Sequence, residues 1–117
     1  MNITQQIIDR LRDAGIAAFM PGVHEGVCIR PYCVVQLCSG TLSTPRGGCV
    51  RYRMHLYVPA ACPEKLDELA QSVRDALKPM EKDSRLRLAE PRGAVVTDDT
   101  FRAACSWIDY VSYYCER

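Results

Sequence analysis

The side chains able to do chemistry are few in this sequence, and their spacing does not bring them together. His24-Glu25 with Cys28 offers an imidazole, a carboxylate and a thiol in one short stretch, the start of a metal site or of a thiol nucleophile with its base. The 117 residues contain only two histidines, so the sequence supplies no further partner, and the group reads as a turn surface with an incidental cysteine. The second histidine, His55, stands between Arg53 and Tyr57 and reads as a solvated or interface imidazole rather than a general base. Thr44-Pro45-Arg46-Gly47-Gly48 has the small residues of a phosphate cradle but lacks the following Lys-Ser/Thr. It also precedes a strand, whereas a P-loop opens a helix so that its amides point at phosphate. Asp98-Asp99 is a carboxylate pair of the kind that forms turns. No catalytic residue, metal-ligand set or cofactor is assigned, and no enzymatic activity is expected.

Cysteine usage is the compositional oddity. Cys28, Cys33, Cys38, Cys49, Cys62, Cys105 and Cys115 make an odd number with no Cys-x-x-Cys pair, which points to reduced thiols rather than a disulfide framework or a zinc site. Cys33 and Cys38, five apart, face opposite sides of any strand that holds both. Most of these thiols occupy places suited to a small apolar residue. A small thiol enzyme using Cys28 or Cys49 is the weakest of three functional readings.

Composition narrows the field further. The length suits one domain, residues 1–117, with a genuine core. A 48% hydrophobic and 25% charged content is that of a folded protein. The formal charge of +1 gives no electrostatic reason for nucleic acid as a partner, since phosphate binding calls for a basic stripe. Trp107, Tyr110, Tyr113 and Tyr114 could stack on bases, but only Arg102 and Arg117 lie near them in sequence. A nucleic-acid-binding module is therefore the second reading, behind core packing or a protein interface for these aromatics. The opening MNITQQIIDRLRD has no apolar signal-peptide region, and no apolar run approaches the ~20 residues that span a bilayer. Synthesis in a cytoplasm and no membrane partner are expected.

The elements that must carry any function are more informative. Ile3, Ile7, Leu11 and Ala14 form one helical stripe, stopped by Gly15 and opened by Asn2 with Gln5 as a weak capping box. Pro21-Gly22 marks a turn, and residues 23–29 suggest a short edge strand. Residues 31–38 are dense in β-formers. After a polar connection at 39–48, too long for a two-residue hairpin, comes the clearest alternation in the chain. Val50, Tyr52, Met54, Leu56 and Val58 occupy one face, and Arg51, Arg53, His55 and Tyr57 the other. Such a period of two predicts a half-buried strand, antiparallel to 31–38. Residues 63–78 predict a second helix, with Pro63 at its start, Leu66, Leu69, Ala70, Val73 and Leu77 on one stripe, and Pro79 ending it. Short strands are expected at 85–88 and 94–96, then a long one over 100–115. In that last strand Asp109 interrupts the face of Ala103, Cys105 and Trp107, a phase slip that predicts a bulge or a strand that changes its covering near Trp107–Asp109. The fold expected is α+β: a mainly antiparallel sheet of four to five strands with two helices on one face, in the order α-β-β-α-β-β.

This element order resembles the tail terminator, or tail completion, and neck-connector proteins of long-tailed bacteriophages and their prophage relatives. The residues that carry the likeness are Pro31-Tyr32-Cys33-Val34-Val35-Gln36, the run Val50-Arg51-Tyr52-Arg53-Met54-His55-Leu56-Tyr57-Val58, the helix ending Val73-Arg74-Asp75-Ala76-Leu77, and residues 104–114. The resemblance implies a structural virion protein, made in the bacterial host cytoplasm and located at the tail or neck. It implies a homo-oligomeric ring, commonly a hexamer, that caps the head-proximal end of the tail tube. Its partners would be the tail-tube protein and a neck or head-completion protein, with DNA passing through the lumen without sequence-specific binding. A neck adaptor between portal and tail is the near alternative. Contact residues expected on this frame are Thr41, Ser43, Thr44 and Arg46 in the projecting loop, and Arg51, Arg53, His55 and Tyr57 on the polar strand face, as against a merely solvated face.

Overall fold

The computed structural model describes residues 3–21, 30–38, 43–44, 47–83, 86–90, 95–98 and 102–114. Helix α1 (Ile3–Asp13) buries Thr4, Ile7, Ile8 and Leu11. It ends as its sequence dictates. Gly15 takes φ +83°, a left-handed conformation that glycine adopts without a Cβ clash. The amides of Gly15 and Ile16 then donate to the carbonyls of Arg12 and Leu11 at 3.0 and 2.9 Å, a Schellman closure with Ile16 tucked in beside Leu11. The Asn2 cap lies outside the described residues.

The strands are β1 (Ala18–Phe19), β2 (Tyr32–Cys38), β3 (Ser43–Thr44), β4 (Gly47–Pro59), β5 (Arg87–Glu90), β6 (Val96–Asp98) and β7 (Ala103–Tyr114). They form one seven-stranded sheet in the order β1-β2-β4-β7-β5, with β3 beside β4 and β6 beside β7. The α+β class holds, but a mainly antiparallel sheet in the order α-β-β-α-β-β does not. The sheet is mixed because β1 runs parallel to β2, and the order is α-β-β-β-β-α-β-β-β. A two-residue strand carries too little periodicity to be read from sequence. Here it is held from outside, by Arg12 of α1 donating from Nε and a terminal nitrogen to the Ala18 carbonyl at 3.1 and 2.9 Å. The predicted 39–48 connection likewise contains β3, which folds back on the start of β4, Ser43 opposite Gly48 and Thr44 opposite Gly47. The expected strand at 23–29 lies outside the described residues.

Helix α2 (Lys65–Lys82) runs through Pro79 instead of stopping there. Pro79 is exposed while Met80, Leu77 and Val73 are fully buried. A helix-interior proline costs about 3 kcal/mol, and burying Met80 recovers about 2 kcal/mol of it. The Pro79 carbonyl still accepts the Asp83 amide at 3.2 Å.

Both helices lie on one face of the sheet. Met54, Leu56 and Val58 of β4, Cys33 and Val35 of β2, and Ile108 and Tyr110 of β7 meet Ile7, Leu11, Leu66, Val73, Leu77 and Met80 in a single core. The register between β4 and β7 is unbroken for twelve residue pairs, from Gly48 opposite Tyr114 to Pro59 opposite Ala103. The bulge expected near Asp109 is therefore not in β7. The register shift falls in β5, between Leu88 and Glu90, and Asp109 keeps its place in the alternation.

Candidate interaction face

Residues directly opposite one another in a ladder point to the same side, so the face turned away from the helices can be read as rows across the strands. Cys38, Arg51, Val111 and Arg87 form one row; Gln36, Arg53 and Asp109 the next; Val34, His55 and Trp107 a third; Tyr32, Tyr57, Cys105 and Val96 a fourth. The predicted alternation of β4 is thus realised, with Arg51, Arg53, His55 and Tyr57 all on this face.

At its centre Asp109 is fully buried. Arg53 donates from Nε at 2.8 Å and from a terminal nitrogen at 3.0 Å to its two carboxylate oxygens, a bidentate fork that a strongly desolvated carboxylate requires. Arg51 adds one longer contact at 3.4 Å. The Arg53 guanidinium lies 5.1 Å from the centre of the Trp107 ring, within cation–π range. One row further, the ring Nε2 of His55 sits 2.6 Å from the Gln36 side-chain oxygen, a bond in which the imidazole nitrogen carries the proton. Burial pushes the His55 pKa below its ordinary value; neighbouring Arg53 lowers it further, and Asp109 works in the opposite direction.

An aromatic patch continues the face. Tyr32 and Tyr57 stack at 4.7 Å between centroids, 12° from parallel, and Phe19 meets Tyr32 edge-on at 6.1 Å. Tyr32 and Ala103 are buried there, packed by Val34 and Cys105. Burial, then the nearby Cys105, Asp98 and Cys33, push the Tyr57 pKa up.

The other sequence candidates separate. Ser43 and Thr44 form β3, Thr41 and Arg46 lie outside the described residues, and so do His24, Glu25 and Cys28. Cys33 and Cys38 take opposite faces as expected: Cys33 is in the core, Cys38 part-exposed opposite Arg51. Trp107 and Tyr110 also take opposite faces, Tyr110 buried among the helices, so the last strand does not present them as one stacking platform. Asp109, Gln36 and Tyr32 were not singled out as site residues. The only sequence signal for Asp109 was its interruption of an apolar face, which marked a buried ion pair rather than a slip.

Among the described residues no group of three or more His, Cys, Asp and Glu could hold a metal ion. No helix among them is long and apolar enough to cross a membrane. An open cavity of about 500 Å³ lies between the Gly15–Ile16–Ala17 turn, Arg30-Pro31 and the first turns of α2; Ile16, Ala17, Pro31 and Leu69 give it a largely apolar wall.

No family model matches the chain, and no curated protein does. Eleven chains of solved structures match it. One of them covers 98% of this chain and 94% of its own length, with a TM-score of 0.53 and 10% sequence identity. That likeness speaks to the fold: the chain shares an α+β architecture over nearly its whole length with a protein of almost unrelated sequence.

Proposed function

We propose that this chain is a structural virion subunit that assembles into a ring, a hexamer by family resemblance, capping the head-proximal end of a phage tail tube and joining it to the neck. The observation that carries the reading is the sheet face opposite the helices. No described helix covers it, and it presents Arg51, Arg53, Trp107 and Tyr57, residue types enriched in the anchoring centres of protein interfaces. The Asp109 pair holds Arg53 in one orientation, which suits a surface that must meet many identical neighbours in one geometry. The β3–β4 pair at the far end of the sheet, which holds Ser43 and Thr44, is the segment suited to reach a tube or neck subunit.

The test is assembly. Mixed with a phage tail-tube protein, the chain is expected to form rings at one end of each tube and to fix tube length, as seen by negative-stain imaging. Tubes with bare ends that grow without limit in its presence overturn the reading. Rings that bind a portal complex and ignore tubes select the neck adaptor instead. The nucleic-acid alternative retains one supporting observation, Arg53 packed on Trp107; salt-dependent retention of single-stranded DNA or RNA would favour it.

A further inference from the structure

One edge of the sheet is closed for part of its length and open for the rest. Strand β1 covers β2 only at Cys33 and Val34. The Cys33 amide donates outwards, to the Ala17 carbonyl at 2.9 Å, and successive backbone groups along a strand alternate in direction. The backbone groups of Val35 and Leu37 therefore point outwards as well, while those of Val34 and Gln36 serve the ladder with β4. Carrying the parallel ladder one step further needs an amide at residue 21 for the Val35 carbonyl, and Pro21 has none. Beyond that point the Val35 carbonyl and both backbone groups of Leu37 have no partner strand among the described residues. The gap is uncharged and apolar. Leu37 is 54% exposed, and Met20, the last residue before Pro21, 45%. The outer side of β1 differs, because Arg12 donates twice to the Ala18 carbonyl and caps an acceptor that a further strand would use.

We infer that the edge of β2 at residues 35–38 binds an extended segment of a partner protein, added to the sheet in line with β1. The inference does not depend on the ring reading. The edge itself sets the occupant: outward amides and carbonyls at strand spacing are matched by another extended backbone. A second folded copy offering its own open edge would bring its β1 along, with the outer carbonyl already held by Arg12. A free segment carries no such neighbour. Running antiparallel, it places one residue opposite Leu37 and exchanges both hydrogen bonds with it. That residue lies beside Leu37 on the helix side of the sheet, in the row of Tyr52 and Tyr110, so an apolar side chain fits there. Its two neighbours turn to the side of Gln36 and Cys38, where polar residues fit.

The test uses the full chain, labelled with nitrogen-15, and a capped synthetic peptide, Lys-Val-Thr-Val-Thr-Val-Lys. In the free protein the Leu37 amide is expected to exchange with solvent rapidly, while Val34 and Gln36 are protected by β4. Saturating peptide is expected to slow exchange at Leu37 by roughly tenfold or more, with shift changes centred on residues 35–38. N-methylation of the peptide's valines removes the donors aimed at β2 and is expected to abolish binding; N-methylation of its threonines, whose amides face away, is expected to leave binding intact. Leu37→Pro removes the outward amide at an edge position that tolerates proline, and is expected to keep the urea denaturation curve and lose the peptide. A Leu37 amide already protected in the free protein overturns the proposal, as does protection that rises with protein concentration, which would give the edge to a second copy. Shift changes elsewhere, or equal binding of the two methylated peptides, overturn it too.

Discussion

Arg53 and Asp109, fifty-six residues apart, face one another across β4 and β7, and the arginine closes a bidentate fork on a carboxylate with no solvent exposure. Arg53 itself remains 34% exposed. The pair therefore places a charge inside the sheet face while leaving its counter-charge partly available to a partner.

Removing one side of this pair strands the other. Arg53→Met is expected to destabilise the chain by about 2 kcal/mol, below the figure for a fully buried pair because Arg53 reaches solvent. Arg51→Met, which loses one 3.4 Å contact from a side chain 51% exposed, is expected to cost less than about 1 kcal/mol. Urea denaturation of the two variants checks the order; equal losses would mean that Arg53 does not anchor Asp109.

His55 makes stability depend on pH in one direction. Its folded-state pKa lies below the ordinary value of 6.5, so the unfolded chain takes up a proton first as pH falls. Its effect is absent above pH 6.5, where the imidazole is neutral in both states, and grows as pH drops from 6.5 towards the folded pKa. The wild type is expected to lose more stability over that window than His55→Gln. Parallel denaturation curves at pH 7.5 and 5.5 read the difference, and identical losses would remove the effect.

The Tyr110 hydroxyl is buried with no hydrogen-bond partner among the described residues, and burial pushes its pKa up strongly. A desolvated, unpaired hydroxyl is a cost. Tyr110→Phe keeps the ring and removes that cost, so it is expected to be neutral or to stabilise by up to about 1 kcal/mol. A clear loss in thermal denaturation would show that the hydroxyl holds a bond.

The thiols should divide by burial. Cys33 is fully buried and its pKa is pushed up to about 12, so it is expected to resist alkylation at pH 8 in the native state and to react only on unfolding. Cys38, Cys62 and Cys105 are part-exposed and are expected to react first. Mass mapping after a short pulse of iodoacetamide checks this, and early labelling of Cys33 would contradict its burial.

Local pattern carried much of this fold. The strict alternation of β4 assigned Arg51, Arg53, His55 and Tyr57 to one face, because strand geometry permits no other arrangement once one side is apolar. Gly15 stopped α1 because a left-handed residue there satisfies the open carbonyls. The stripe of α2 was equally legible, but its end was not. Pro79 signals a stop locally, yet the helix runs on through it and buries Met80, which offsets most of the cost.

The sequence by itself determined which residues face the core, which face away, and that the chain folds as an α+β domain with two helices against a sheet. These follow from periods of 3.6 and 2, which are properties of neighbours along the chain. Only the tertiary structure decided that β1 joins β2 in parallel, that the irregularity lies in β5, and that Asp109 is one end of an ion pair rather than a break in a strand. Each depends on a partner far away in sequence. A lone aspartate on an apolar face is a defect until the register brings Arg53 across from it.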